Sequence, residues 1–260
     1  TGFQETDTVS IYKAITKSSK VLCKNLDLFK ELNDAYNLSI NDRYGPVHLD
    51  LPMDIQRTET TALQSSELIF NINSSPATYS MDNILELISN SKRPLILAGN
   101  GIYLSNATEE LNNFVKKSNI PLVSSMPGVG VIDTDHELYM GYIGHTGEFS
   151  ANLAMYYSDL LIVLGARLDV RQTGSEVKTL SNKKTIHVDI DKTELEDPRI
   201  ETCIKVESDC KYFLKNINNY ISTNKNDDWA KRISQWHLKY DSRQFYNDLN
   251  LSSFHIIDEV

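Results

Sequence analysis

Between residues 79 and 206, short runs that are apolar along their whole length alternate with stretches whose apolar residues recur every three or four positions. This rhythm constrains the fold more than any other feature of the chain. The helical spacing covers residues 83–90, 107–117 and 149–157, and the apolar runs that follow cover 94–98, 121–125 and 159–166. Residues 185–190 and 203–206 add two more runs, and a helix over 209–220 closes the series. A strand without polar alternation needs cover on both faces. A parallel sheet flanked by helices supplies it, so the spacing predicts a doubly wound α/β domain over residues 79–222.

The chain has 260 residues against roughly 150 for a typical domain, which leaves room for parts of others. Upstream, a short strand at 20–23, a helix capped by Asn25 with Leu26, Phe29, Leu32, Ala35 and Tyr36 on one face, and a strand at 47–51 after Gly45-Pro46 give strand, helix, strand. Residues 57–78 are rich in Ser, Thr and Asn without sustained periodicity, the chemistry of a linker. A second polar stretch at 224–228 precedes a tail of helical tendency that is too short to fold alone.

Composition excludes several classes of function. At 40% hydrophobic and 23% charged the chain is neither disordered nor fibrous. No apolar run approaches the ~20 residues of a membrane span. With 26 Lys and Arg against 35 Asp and Glu, a net charge of −9 and no basic stripe, nucleic acid is not expected as a partner. Three cysteines without C-x-x-C spacing imply neither a disulfide framework nor a zinc site, and a reducing cytoplasm fits them. The chain begins at Thr1 and stops at Val260 inside an apolar-periodic stretch, so a fragment of something longer is expected.

Ligands of an open parallel sheet sit beyond the carboxyl ends of its strands, where loops and helix N-termini converge. Gly99-Asn100-Gly101 permits close backbone approach and is expected to aim amides at an anion, although Leu104 stands where G-x-G-x-x-G has its third glycine, and a plain turn is an equal alternative. Ser124 to Gly130 offers two hydroxyls and two glycines. Gly141, Gly144 and Gly147 place a glycine at every third position before a helix, with His145 among them as a ligand contact or a solvent-facing loop residue. Gly165 to Gly174 carries Arg167, Asp169 and Arg171, which suit phosphate oxygens and a ribose hydroxyl; the alternative is a surface ion pair. His187 to Asp191 ends a strand with carboxylates, the usual place for a group that bonds a nucleotide ribose. Together the five loops resemble a site for an extended dinucleotide.

The residues also resemble a family. Gly2 to Thr6 with Ile15-Thr16-Lys17, then Gly45-Pro46-Val47 and Asp50 through Gln56, are similar to the end of the pyrimidine-binding domain of thiamine-diphosphate enzymes, in particular the large subunit of acetolactate synthase. The likeness continues through Arg93-Pro94-Leu95, residues 120–130, Ser158 to Leu161, Gly165 to Gly174 and His187 to Asp191, and the stretch 254–260 resembles the entry to the pyrophosphate-binding domain. The resemblance implies the C-terminal part of the pyrimidine domain over 1–56, a linker over 57–78, a central domain of the DHS-like NAD/FAD-binding type over 79–222, and a linker with the start of the pyrophosphate domain over 223–260. The family's activating glutamate lies upstream and its Gly-Asp-Gly metal motif downstream, so this stretch alone is expected to be inactive.

Family contacts to FAD carry over onto Arg43, Gly99, Gly101, Ser125, Gly144, Gly147, Gly165, Arg167, Asp169 and Arg171, with Asp189, Ile190, Glu194 and Asp209 at the adenosine end. Phe3 and Gln4 match the substrate channel near the thiamine ring of the opposite subunit. The implied cofactors are thiamine diphosphate, magnesium and FAD. The implied partners are a small 2-oxoacid, further copies in a homodimer or homotetramer, and a regulatory small subunit. Asn100 replaces the middle of a triple glycine, where a side chain is expected to crowd the backbone approach. His145-Thr146, Val170 and Pro127 also depart from the family pattern. The function this implies is acetolactate synthesis from pyruvate in branched-chain amino-acid formation. The alternatives are a thiamine-diphosphate carboligase or 2-oxoacid decarboxylase without FAD, and a non-catalytic nucleotide-binding module.

Overall fold

The computed structural model describes residues 5–23, 27–57, 79–180, 182–196, 199–223 and 227–240. The chain divides into two compact units, Thr1–Ser75 and Pro76–Val260. The first contains α1 (Thr8–Tyr12), β1 (Ser18–Val21), α2 (Leu28–Ile40), β2 (Val47–Asp50) and α3 (Met53–Gln56). β1 and β2 pair in parallel, with Ser18 opposite Val47 and Val21 opposite Asp50, and α2 makes the crossover. The α2 cap is Asp27, whose carboxylate accepts from the amides of Phe29 and Lys30; the expected cap, Asn25, lies outside the described residues. Lys17 Nζ donates to the carbonyls of Leu38, Asn41 and Arg43, at 2.6, 2.8 and 3.1 Å, and fastens the end of α2 and the segment that carries Arg43.

The second unit is a six-stranded parallel sheet with helices on both faces. In chain order it contains α4 (Met81–Asn90), β3 (Pro94–Ala98), α5 (Gly101–Leu104), α6 (Thr108–Ser118), β4 (Leu122–Ser124), a 3-10 turn (Met126–Gly128), β5 (Tyr139–Tyr142), α7 (Phe149–Tyr157) and β6 (Leu160–Leu164). There follow α8 (Val170–Thr173), a second 3-10 turn (Val177–Leu180), β7 (Lys184–Asp189), α9 (Lys192–Glu196), β8 (Ile204–Glu207), α10 (Cys210–Ile217) and α11 (Asp227–Lys239). The spatial order is β5-β4-β3-β6-β7-β8. The chain winds outward from β3 to β5, crosses back to lay β6 beside β3, and winds outward again. The strand order therefore reverses at the carboxyl ends of β3 and β6.

Period-two alternation explains why the strands are apolar throughout. Ile96, Ala98, Ile162, Leu164, Ile186 and Val188 face one core with Ile84, Phe114 and Phe213, while Leu95, Leu97, Leu161 and Val163 face another with Ala151, Met155, Trp229 and Ile233. The sheet has one strand more than the sequence rhythm suggests. β5 falls in the stretch expected as loop, because Tyr139-Met140-Gly141-Tyr142 is short, contains a glycine at φ +91°, and lies on an edge where the register with β4 shifts. The tail beyond residue 223 supplies α11, which packs on α7. Trp229 Nε1 donates to the Pro94 carbonyl at 2.9 Å, and the Arg232 guanidinium lies over the Trp236 ring at 5.0 Å.

At the amino end of the sheet, Asp159 accepts from the Ser91 hydroxyl and from the amides of Lys92 and Arg93 at 3.0 and 2.9 Å. Burial alone would raise its carboxyl; these hydrogen bonds outweigh burial and hold it below the ordinary value. Beside it Lys183 Nζ donates to the carbonyls of Tyr156 and Ser158 at the end of α7, and burial lowers its ammonium to about 8. Among the described residues no helix is long and apolar enough to cross a membrane.

Candidate functional site

Because every strand of the sheet is parallel, the loops after β3, β4, β5, β6 and β7 leave from one edge. At the reversal point the first and fourth loops lie against each other. Gly99 N donates to Leu164 O at 2.9 Å and Gly101 N to Gly165 O at 3.0 Å, while Gly165 N reaches Val188 O at 2.9 Å. A Cβ on Gly101 would stand 2.6 Å from Gly165 Cα, and Gly165 itself has φ +60°. The expectation that Gly99 and Gly101 aim amides at an anion is thus corrected. The Gly99 amide bonds the end of β6 and the Gly101 amide bonds the neighbouring loop, and the glycines are small so that two backbones can cross. Asn100, the position expected to crowd that approach, has helical dihedrals (φ −61°, ψ −21°) and is exposed.

The second loop packs behind the first. Ser125 is buried, its amide donates to Ala98 O at 2.9 Å, and Pro127 is accommodated within the short 3-10 turn. The third and fourth loops touch through Gly144, His145 and Arg171. Gly144 has φ +115° and a Cβ there would stand 2.5 Å from Arg171 O, the same oxygen that accepts from His145 N at 3.2 Å. Gly147 N closes a turn onto Gly144 O at 3.0 Å. The His145 side chain is exposed.

In the fourth loop Leu168 turns the chain at φ +54° with its side chain buried, and Asp169 then caps α8 by accepting from the amides of Arg171 and Gln172 at 2.9 and 3.1 Å. Arg167 Nε pairs with Glu194 Oε1 at 2.7 Å, with the arginine 58% exposed and the glutamate 18%. Two residues singled out separately in the sequence are therefore partners, with more than half of the arginine side chain still exposed. Arg171 is exposed. Arg199, which no sequence pattern marks out, reaches Gly174 O at 3.1 Å and ties down the far end of this loop.

Asp189 ends β7 with 8% exposure, and its Oδ1 accepts from Asp191 N at 2.9 Å. Burial pushes its carboxyl up. Two residues earlier on the same face, His187 donates from Nε2 to the Ala166 carbonyl at 2.9 Å, since a carbonyl oxygen only accepts. Its Nδ1 is buried without a protein partner among the described residues, and burial pulls the imidazole down. Ile190 is half-buried, and Asp209 caps α10 by accepting from the amides of Lys211 and Tyr212. The rim thus gathers exposed arginines, a buried carboxylate and a crossing of glycine backbones on loops that leave one edge of the sheet. Among the described residues no group of three or more His, Cys, Asp or Glu could hold a metal ion.

The sequence model of the thiamine pyrophosphate enzyme central domain matches residues 81–217, more than half of the chain. The chain belongs to that family. Within the thiamine pyrophosphate enzymes, the acetolactate synthase large subunit of Lactococcus lactis subsp. lactis (strain IL1403) is 34% identical over 239 residues, 90% of this chain and 41% of that protein. The probable acetolactate synthase large subunit of Methanococcus aeolicus is 31% identical over 270 residues, covering 99% and 44%. Acetolactate synthase 1, chloroplastic, of Nicotiana tabacum is 29% identical over 261 residues, covering 97% and 38%. The chain spans less than half the length of these relatives. Of the family positions carried over, Phe3 and Gln4 lie outside the described residues, and Arg43 belongs to the first unit, exposed after α2. Asn152, which bonds the Gly144 peptide, and Arg199 shape the rim loops yet escaped the sequence reading. A lone Asn inside a helix and an Arg after an irregular stretch carry no periodic signal.

Proposed function

We propose that the full-length protein is an acetolactate synthase. It takes two molecules of pyruvate, releases one carbon dioxide, and joins the remaining two-carbon unit to the second pyruvate. The observation that carries this reading is the 34% identity to the Lactococcus lactis acetolactate synthase large subunit across 90% of the chain. Thiamine diphosphate, held with magnesium outside this stretch, supplies the carbon nucleophile and electron sink for decarboxylation and transfer. Phe3 and Gln4 are proposed to line the channel through which the 2-oxoacid arrives. The reading includes a homodimer or homotetramer, a regulatory small subunit and a cytoplasmic location.

FAD belongs to the same proposal. Arg171 and the open face of Arg167 suit the diphosphate, and Asp189, already raised toward its protonated form by burial, suits a ribose hydroxyl. The residues fit the charge pattern of an adenine dinucleotide, though the glycines serve loop packing. That the Gly99 and Gly101 amides are occupied favours a second reading, a carboligase or decarboxylase of the same family that works without flavin. The test is to purify the full-length protein and assay it with pyruvate, thiamine diphosphate and magnesium. A yellow preparation that forms acetolactate is the expected result. A colourless one that decarboxylates or ligates selects the second reading, and no turnover of any 2-oxoacid overturns both.

A further inference from the structure

Asn152, in the first half of α7, is half-buried and makes a reciprocal pair of hydrogen bonds with one residue's main chain. Its Oδ1 accepts from Gly144 N and its Nδ2 donates to Gly144 O, both at 2.9 Å. Gly144 is backed against the arginine loop so closely that a Cβ would stand 2.5 Å from Arg171 O, and the next amide, His145 N, donates to that oxygen at 3.2 Å. On its other side Arg171 N is held by Asp169 Oδ1 at 2.9 Å. The main chain of Arg171 is therefore gripped at both its amide and its carbonyl, while its side chain is exposed. One of the two grips, through Gly144 and His145, leads back to Asn152.

We propose that Asn152 is a positioning residue for Arg171: by pinning the Gly144 main chain it sets where the guanidinium stands, and through it the affinity of the rim for the diphosphate of an adenine dinucleotide. The inference rests on the reading of this rim as a dinucleotide site. The physical reason is the guanidinium fork, which bonds two phosphate oxygens at once only from a narrow range of positions. A leucine at 152 fills a similar volume and leaves both polar groups of Gly144 without that partner. The loop then gains freedom, and Arg171 O loses the surface it rests on.

The experiment titrates ADP, as a probe for the adenine and diphosphate together, into the full-length protein at several ionic strengths. It compares wild type, Asn152→Leu, Arg171→Gln and the double variant. Each single variant is expected to weaken ADP binding about 10- to 100-fold, the affinity equivalent of one hydrogen bond to a charged group. Each should also flatten the dependence on ionic strength, and the double variant should bind no more weakly than Arg171→Gln alone. Losses that add, or an Asn152→Leu variant with wild-type affinity and salt dependence, overturn the proposal. If Arg171→Gln itself binds ADP like wild type, the dinucleotide reading of the rim fails instead and takes the proposal with it. Asn152→Asp keeps the acceptor for Gly144 N and loses the donor, so it covers the case in which the leucine variant fails to fold. It is expected to exchange the His145 amide hydrogen faster than wild type in the absence of ADP, and unchanged exchange overturns the proposal.

Discussion

Asp189 has its folded pKa raised by burial, so the native state holds a proton on this carboxyl more tightly than the unfolded chain does. Its contribution to stability is present in full below the unfolded value of 3.8 and is lost as pH rises through the folded value. As pH rises above 3.8 the raised pKa therefore costs the folded state stability. An asparagine in its place would keep an oxygen for the Asp191 amide without that cost. Asp189→Asn is accordingly expected to raise the melting temperature at pH 7, with the difference disappearing below pH 3.8, while ADP binding weakens. A lower melting temperature at pH 7 would show that the carboxylate is a structural asset and would remove the argument that it is retained for a ligand. This residue was legible before the structure, because a carboxylate at the end of an apolar strand is an anomaly that sequence displays. Gly99 and Gly101 were half legible. The sequence marks where backbone must come close, but whether the approaching partner is a ligand or Gly165 depends on the order of strands, which spacing alone leaves open.

Among the elements, α11 shows how packing overrides what a segment's length suggests. Residues 229–239 read as part of a tail of helical tendency too short to fold alone, yet they place Trp229 and Ile233 in the second core and Trp236 at its margin, where they cover sheet beside α7. Trp229→Ala removes a buried indole and its bond to Pro94 O. It is expected to cost about 3–5 kcal/mol in urea unfolding of the full-length protein. A cost near zero would mean that α11 does not close this core. The amino end of the sheet offers a second element-scale test. Asp159 draws the segment between α4 and β3 onto the start of β6, and its folded pKa is depressed. Its contribution is present above the unfolded value of 3.8 and is lost as pH falls through the folded value. Asp159→Asn should therefore cost about 1.5–3 kcal/mol at pH 7, as for hydrogen bonds to a charged group, and progressively less as the pH falls below about 3.8. Equal stability at pH 7 would contradict the clamp. β5, unlike the helical tendency of α11, escaped the sequence reading: four residues with a glycine at positive φ carry too little periodicity, and pairing with the edge of β4 makes them a strand.

For the whole molecule, the contrast between the two units decides what can stand alone. Among the described residues of the first unit the buried apolar side chains are Leu22 and Ile55, whereas Ile11, Ile15, Leu32, Tyr36, Leu51 and Met53 are exposed. The helix and strand pattern there was read correctly in outline, but among the described residues a two-stranded sheet with α1 and the crossover helix α2 leaves those faces uncovered. The second unit buries both faces of its sheet beneath helices and closes two cores from its own residues. A polypeptide of residues 79–240 is therefore expected to unfold in a single cooperative transition by circular dichroism, with the transition coincident by tryptophan fluorescence, since Trp229 and Trp236 report the α11 side of the sheet. A polypeptide of residues 1–57 is expected to show no cooperative transition, because at this size burial is marginal and its described residues leave most of their large apolar side chains exposed. A sharp melt for residues 1–57 would mean that the faces seen exposed here find cover within that stretch. The first unit would then be a domain in its own right, and the reading of it as part of a larger pyrimidine-binding domain would have to be given up.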